Sequence, residues 1–170
     1  MTDNLITEDL CDFLETKEFV YLATCNTNGG PHCAPKFLIK VDGDCVFLAD
    51  FVFGRTYENL RHNSKVSFST MNLENLMGYQ INGAAKNLTS GPEFDAQLKH
   101  LRKREIHFSA KRIIEGIQQG KKHESFEVAF PDQLAVIKIM VEEITHIEPS
   151  GTIKRKGKEK PAEDICGQAD

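Results

Sequence analysis

Between residues 19 and 50, three short apolar runs are separated by two dense turn signals, Asn26-Thr-Asn-Gly-Gly-Pro31 and Asp42-Gly43. Turns this tight leave only enough chain to reverse direction. Phe19-Val-Tyr-Leu-Ala-Thr-Cys25, the run from His32 to Val41, and the run from Asp44 to Asp50 are therefore expected to be consecutive antiparallel strands. Lys65-Val-Ser-Phe-Ser-Thr-Met71 alternates apolar and polar residues as a half-buried strand does. Gly78 to Leu88 should be a fifth strand, with Gly83 marking a bulge or a close backbone approach. Leu134 to Ile147 should be a sixth. Laid flat, such a sheet would expose two long edges, so the pattern predicts a small closed or nearly closed antiparallel barrel with helices outside it, a mainly β member of the α+β class.

The helices announce themselves by their caps. Thr7 followed by Glu8 and Asp9 predicts a short lid helix with Leu10, Phe13 and Leu14 on one face. Ser90-Gly-Pro-Glu93 resembles a capping box with proline in the first turn, and it opens a helical pattern carrying Phe94, Leu98 and Leu101 to about Gly120. Within that stretch Ser109 is expected to cap a second helix bearing Ile113, Ile114 and Ile117.

The chain has 170 residues, 40% of them hydrophobic, which suits one domain with a sizeable core. We place that domain at residues 1–148. Residues 149–170, with Lys154-Arg-Lys-Gly-Lys-Glu-Lys160 and no apolar pattern, are expected to be a tail that stays mobile unless a partner chain orders it. A formal net charge of −4 argues against nucleic-acid binding by overall electrostatics. The N-terminus lacks a basic start followed by an apolar core, and no segment approaches the roughly 18 apolar residues of a membrane span, so the protein is expected to be soluble and cytoplasmic. Five cysteines without a C-x-x-C pair read as reduced, mostly buried thiols, and six histidines without zinc-type spacing give no reason to expect a metal.

One stretch carries a chemical signal. In Phe51-Val-Phe-Gly-Arg-Thr-Tyr-Glu-Asn-Leu-Arg-His-Asn63 a strand hands over to a short helix through Gly54, Arg55 and Thr56. The first amides of a helix have no partners inside it and point at whatever anion lies ahead of them. Arg55 adds a planar charged fork and Thr56 a hydroxyl donor, so this turn is a candidate phosphate site.

With the barrel order in place, the motifs resemble those of the FMN-binding split-barrel family, which includes pyridoxamine 5'-phosphate oxidase and small FMN-binding flavoproteins. The resemblance spans about residues 7 to 148. It rests on Gly29-Gly-Pro-His32, on Gly54-Arg-Thr-Tyr-Glu-Asn-Leu60 with Asn63-Ser-Lys-Val66, on Gly78-Tyr-Gln-Ile-Asn-Gly-Ala84, and on Gly91-Pro-Glu-Phe94, in that order. It implies a six-stranded antiparallel split β-barrel, FMN as cofactor, and a homodimer with FMN at the interface. By position it lays Ala34, Pro35, Lys36 and Phe37 along the flavin ring, Ala49 and Asp50 along the ribityl chain, and Gly54, Arg55 and Thr56 at the phosphate. Asn59 would add a polar contact, and Gln80, or Gly78 if the alignment shifts by two, would pass near the ring. Lys36 is either a lysine that stabilises the anionic reduced flavin or a surface residue on an edge strand. Phe51 and Phe53 either cover the flavin or pack in the core.

Two departures bear on function. Relatives often have serine where this chain has Gly54, and a second basic residue where it has Thr56, so the phosphate clamp carries less charge. The arginine and histidine pair with which pyridoxamine phosphate oxidases grip their substrate has no counterpart near the C-terminus. The expected function is a flavoprotein oxidoreductase, distinct from a true pyridoxamine 5'-phosphate oxidase, that takes electrons or hydride from a reduced nicotinamide or a redox partner protein and passes them to a small acceptor. Its alternatives are the same fold binding a deazaflavin coenzyme or haem, and a non-catalytic flavin-binding or redox-sensing module. No catalytic side chain is singled out, and His32 and His146 read as solvated surface residues.

Overall fold

Strands β1 (Phe19–Cys25), β2 (Pro31–Asp42) and β3 (Cys45–Asp50) form the two hairpins that the turn signals require. The computed structural model describes residues 4–119 and 133–158. After β3 come a short helix α2 (Arg55–Leu60), strands β4 (Lys65–Met71) and β5 (Gly78–Leu88), the long helix α3 (Pro92–Gln118), and β6 (Ala135–Ile147). Neighbouring strands run in the order β3-β2-β1-β4-β5-β6, and β3 pairs with β6 to close a six-stranded antiparallel barrel.

Inward-facing residues from all six strands, among them Leu22, Leu38, Leu48, Phe68, Ile81 and Ile139, build one apolar interior. The lid helix α1 (Glu8–Glu15) adds Leu10 and Leu14 to it, and the Thr7 hydroxyl accepts a hydrogen bond from the Leu10 amide as the cap pattern predicts. A second, smaller core lies outside the barrel. There the outward residues Phe37, Ile39, Phe47, Ala49 and Val136 pack against Leu101 and Phe108 of α3. Arg104 ties the same helix down by donating to the carbonyls of Leu38, Glu15 and Lys17.

Gly83 does what its place in the strand suggested. The β5–β6 register shifts between Asn82 and Gly83, and a Cβ there would sit 2.2 Å from the Met140 carbonyl oxygen. Any side chain would have to push two backbones apart at this barrel corner.

Four expectations are corrected. The tail expected from residue 149 begins with a seventh strand, β7 (Ile153–Gly157), paired antiparallel with β6. Its place exists because β3 pairs only with the first half of β6, from Ala135 to Met140, which leaves the edge from Glu143 to Ile147 open. The rest of the expected tail, residues 159–170, lies outside the described residues. The helical region from residue 92 is one continuous helix as far as Gln118, and the end expected near Gly120 falls outside the described residues. Ser109 sits inside that helix, where its hydroxyl donates to the Glu105 carboxylate and accepts from Arg112, instead of capping a new one. The Ser90 capping box does not form either. Gly91 takes the cap position with φ of 97°, and Glu93 pairs with Lys138. Finally, Cys11, Cys25 and Cys45 are half-buried free thiols and Cys33 is exposed, since Cys25 and Cys33 face outward from β1 and β2; Cys166 is outside the described residues.

Candidate functional site

The pairing of β2 with β3 stops at Phe37 and Ala49, whereas its pairing with β1 continues to Pro31. Residues 31–36 therefore keep one edge of their backbone without a strand partner among the described residues. A cavity of about 370 Å³ opens along this split. Its wall runs through His32, Ala34, Pro35, Lys36 and Phe37 of β2, then Ala49 and Asp50 at the end of β3, and then Phe51, Val52, Gly54, Arg55 and Thr56, with Phe19 opposite on β1.

Nine of the eleven positions singled out from the sequence line this one cavity: Ala34, Pro35, Lys36, Phe37, Ala49, Asp50, Gly54, Arg55 and Thr56. Asn59 and Gln80 do not. Asn59 is buried against β1, where its amide donates to the Thr24 hydroxyl at 2.9 Å and fastens α2 to that strand. Gln80 lies on β5 and reaches across to Ser67 of β4. Four lining residues were not among the site positions: Phe19, His32, Phe51 and Val52. Alternation along β1 and β2 was legible, but which strand end stays open was not, and that decides whether Phe19 and His32 meet a cavity or solvent. His32, expected to be a solvated surface residue, is a half-buried part of the wall.

The cavity has an aromatic side and a polar side. Phe37 meets Phe19 edge-on at 5.5 Å between ring centroids, and Phe51 at 6.3 Å. Against these stands a buried ion pair, in which Lys36 Nζ donates to Asp50 Oδ1 at 2.6 Å. Lys36 is 8% exposed and Asp50 1%, which excludes the reading of Lys36 as a surface residue on an edge strand.

Two polar atoms in this wall lack partners. Asp50 Oδ2 and Thr56 Oγ1 are buried, and among the described residues neither has a hydrogen-bond partner. A buried oxygen without a partner costs about 1–3 kcal/mol, so such atoms mark where a bound molecule would supply one. The amides of Arg55, Thr56 and Tyr57 precede the first bond within α2, from the Glu58 amide to the Gly54 carbonyl, and Arg55 is exposed at the rim. One hydroxyl donor, a guanidinium and a turn of open amides together suit a phosphate monoester. Among the described residues no group of three or more His, Cys, Asp or Glu side chains could hold a metal ion.

Residues 6–147 match the family model described as pyridoxamine 5'-phosphate oxidase. The chain belongs to the pyridoxamine 5'-phosphate oxidase family. Solved structures agree on the fold, an antiparallel split barrel. HupZ from Group A Streptococcus is 23% identical with a TM-score of 0.63, over 85% of this chain and 96% of that one. A pyridoxamine 5'-phosphate oxidase-related, FMN binding protein from Nostoc punctiforme is 13% identical with a TM-score of 0.51, over 88% and 92%. A heme binding protein from Mycobacterium smegmatis is 15% identical with a TM-score of 0.57, over 85% and 54%. No curated protein matches the chain. Across these structures, then, the barrel is shared while the ligands named for them differ. Among the described residues no helix is long and apolar enough to cross a membrane.

Proposed function

We propose that the cavity beside β2 binds FMN and that the protein works as a homodimeric flavoprotein oxidoreductase, taking electrons or hydride from a reduced nicotinamide or a redox partner and passing them to a small acceptor. The observation that carries this reading is the unpartnered Thr56 hydroxyl beside Arg55, at one end of a cavity whose other wall is the open edge of β2. Arg55, Thr56 and the first amides of α2 would hold the phosphate. The open backbone of residues 32–36 offers amides and carbonyls to a planar heterocycle, and Phe19, Phe37 and Phe51 exclude water beside it. FMN supplies the redox chemistry, and the protein supplies orientation and field. Family membership supports a dimer, and the exposed Phe19 and Tyr21 on the outward face of β1 suit one. The oxidase reaction that names the family is not part of this reading.

A second reading replaces FMN with haem. It draws on His32 in the cavity wall and on the Mycobacterium smegmatis neighbour. The visible spectrum of the purified protein, with mass analysis of any ligand released on denaturation, separates the two. FMN predicts a flavin band near ~450 nm and an FMN mass, whereas haem predicts an intense Soret band. A colourless protein that takes up no added FMN sinks the flavoprotein reading.

A further inference from the structure

Among the residues lining the cavity, the ion pair at the junction of β2 and β3 is the one feature that binding alone does not require. Lys36 Nζ lies 2.6 Å from Asp50 Oδ1, both side chains are buried, and both line the cavity. Asp50 is also tethered through its own loop, since Oδ1 accepts from the Val52 amide at 3.4 Å. Its second oxygen has no partner among the described residues.

A lysine in such a wall is a fixed positive charge, and burial strengthens its field relative to water. A carboxylate at hydrogen-bond distance cancels much of that field. We propose that Asp50 is a positioning residue that holds Lys36 against the cavity and partly neutralises it, and so sets how strongly the protein favours the reduced, anionic form of the cofactor over the oxidised form. The inference rests on the FMN reading above. Removing either member of the pair should therefore move the redox potential, and in opposite directions. Without the carboxylate, Lys36 acts undiminished on the reduced form. Without the ammonium, Asp50 is left as an unpaired acid that opposes it.

The test begins with titration of the ligand-free protein with FMN and continues with the two-electron midpoint potential of the bound cofactor in wild type, Asp50→Asn, Lys36→Met and the double variant. Asp50→Asn should favour binding of reduced over oxidised FMN by about tenfold more than wild type, an upward shift of about 30 mV. Lys36→Met should shift the potential downward by a similar amount. The double variant carries neither charge and should fall between the singles, near wild type; Asp50→Ser and Lys36→Gln, with shifts of the same signs, take the place of a single that fails to fold. A purely structural role predicts lowered melting temperatures with potentials unmoved or moved in one direction, and that result overturns the proposal while leaving FMN binding intact. Failure of the wild-type protein to take up FMN overturns the flavin reading and this inference together.

Discussion

Leu38 and Lys36 are two residues apart on β2 and point to the same side, yet they meet different surroundings. Leu38 joins an interior to which all six barrel strands contribute buried apolar side chains. Lys36 ends on a buried carboxylate whose second oxygen is unpartnered, beside an open strand edge and a half-buried histidine. The closed part of the barrel therefore buries mainly apolar side chains, and the split part sets two polar atoms that lack a partner among the described residues, Asp50 Oδ2 and Thr56 Oγ1, beside a cavity. Stability should reside chiefly in the former and ligand binding in the latter.

The largest test of that division lies inside the barrel. Phe68 is fully buried, and Phe68→Ala should cost about 3–5 kcal/mol in chemical denaturation. A cost below about 1 kcal/mol would mean that the interior is not the stabilising region. Next comes the clamp between α3 and the barrel. Arg104 donates to three carbonyls, and burial lowers its pKa. Arg104→Met should lower stability by about 1.5–3 kcal/mol through the carbonyls it leaves unpaired. At the split, Arg55→Ala should weaken FMN binding by about 1.5–3 kcal/mol, read by titration, while the melting temperature of the ligand-free protein stays unchanged. An equal loss of ligand-free stability would blur the distinction between the two regions. The smallest effect belongs to the lid helix, where Thr7→Ala removes a long cap bond and should cost about 0.5–1 kcal/mol in the same denaturation experiment.

The strands were legible because turn residues and two-residue alternation are local signals, and β4 and β5 begin and end where those signals do. What could not be read depends on neighbours distant in sequence. β7 carries Lys154, Arg155 and Lys156 and shows no apolar pattern, because it forms against the edge that β3 leaves free and is exposed throughout. Ser109 has the chemistry of a cap but no helix break before it. The cavity residues were reached mainly through family resemblance. Phe19 and His32 escaped because the sequence does not show where pairing of β2 with β3 ends, and Asn59 shares its helix with Thr56 but faces Thr24.

The closure of β3 onto β6 also sets an order of events during synthesis. Asp50 sits opposite Ala135, and Cys45 opposite Met140, so the strand that carries the cavity's acid has a bare edge until the last long strand emerges. The early hairpins can form while most of the chain is still unmade, but the wall containing Asp50 is completed by one of the most distant pairings in the molecule. The cavity is thus among the last parts of the protein to assemble, and an intact site reports that the whole barrel has folded.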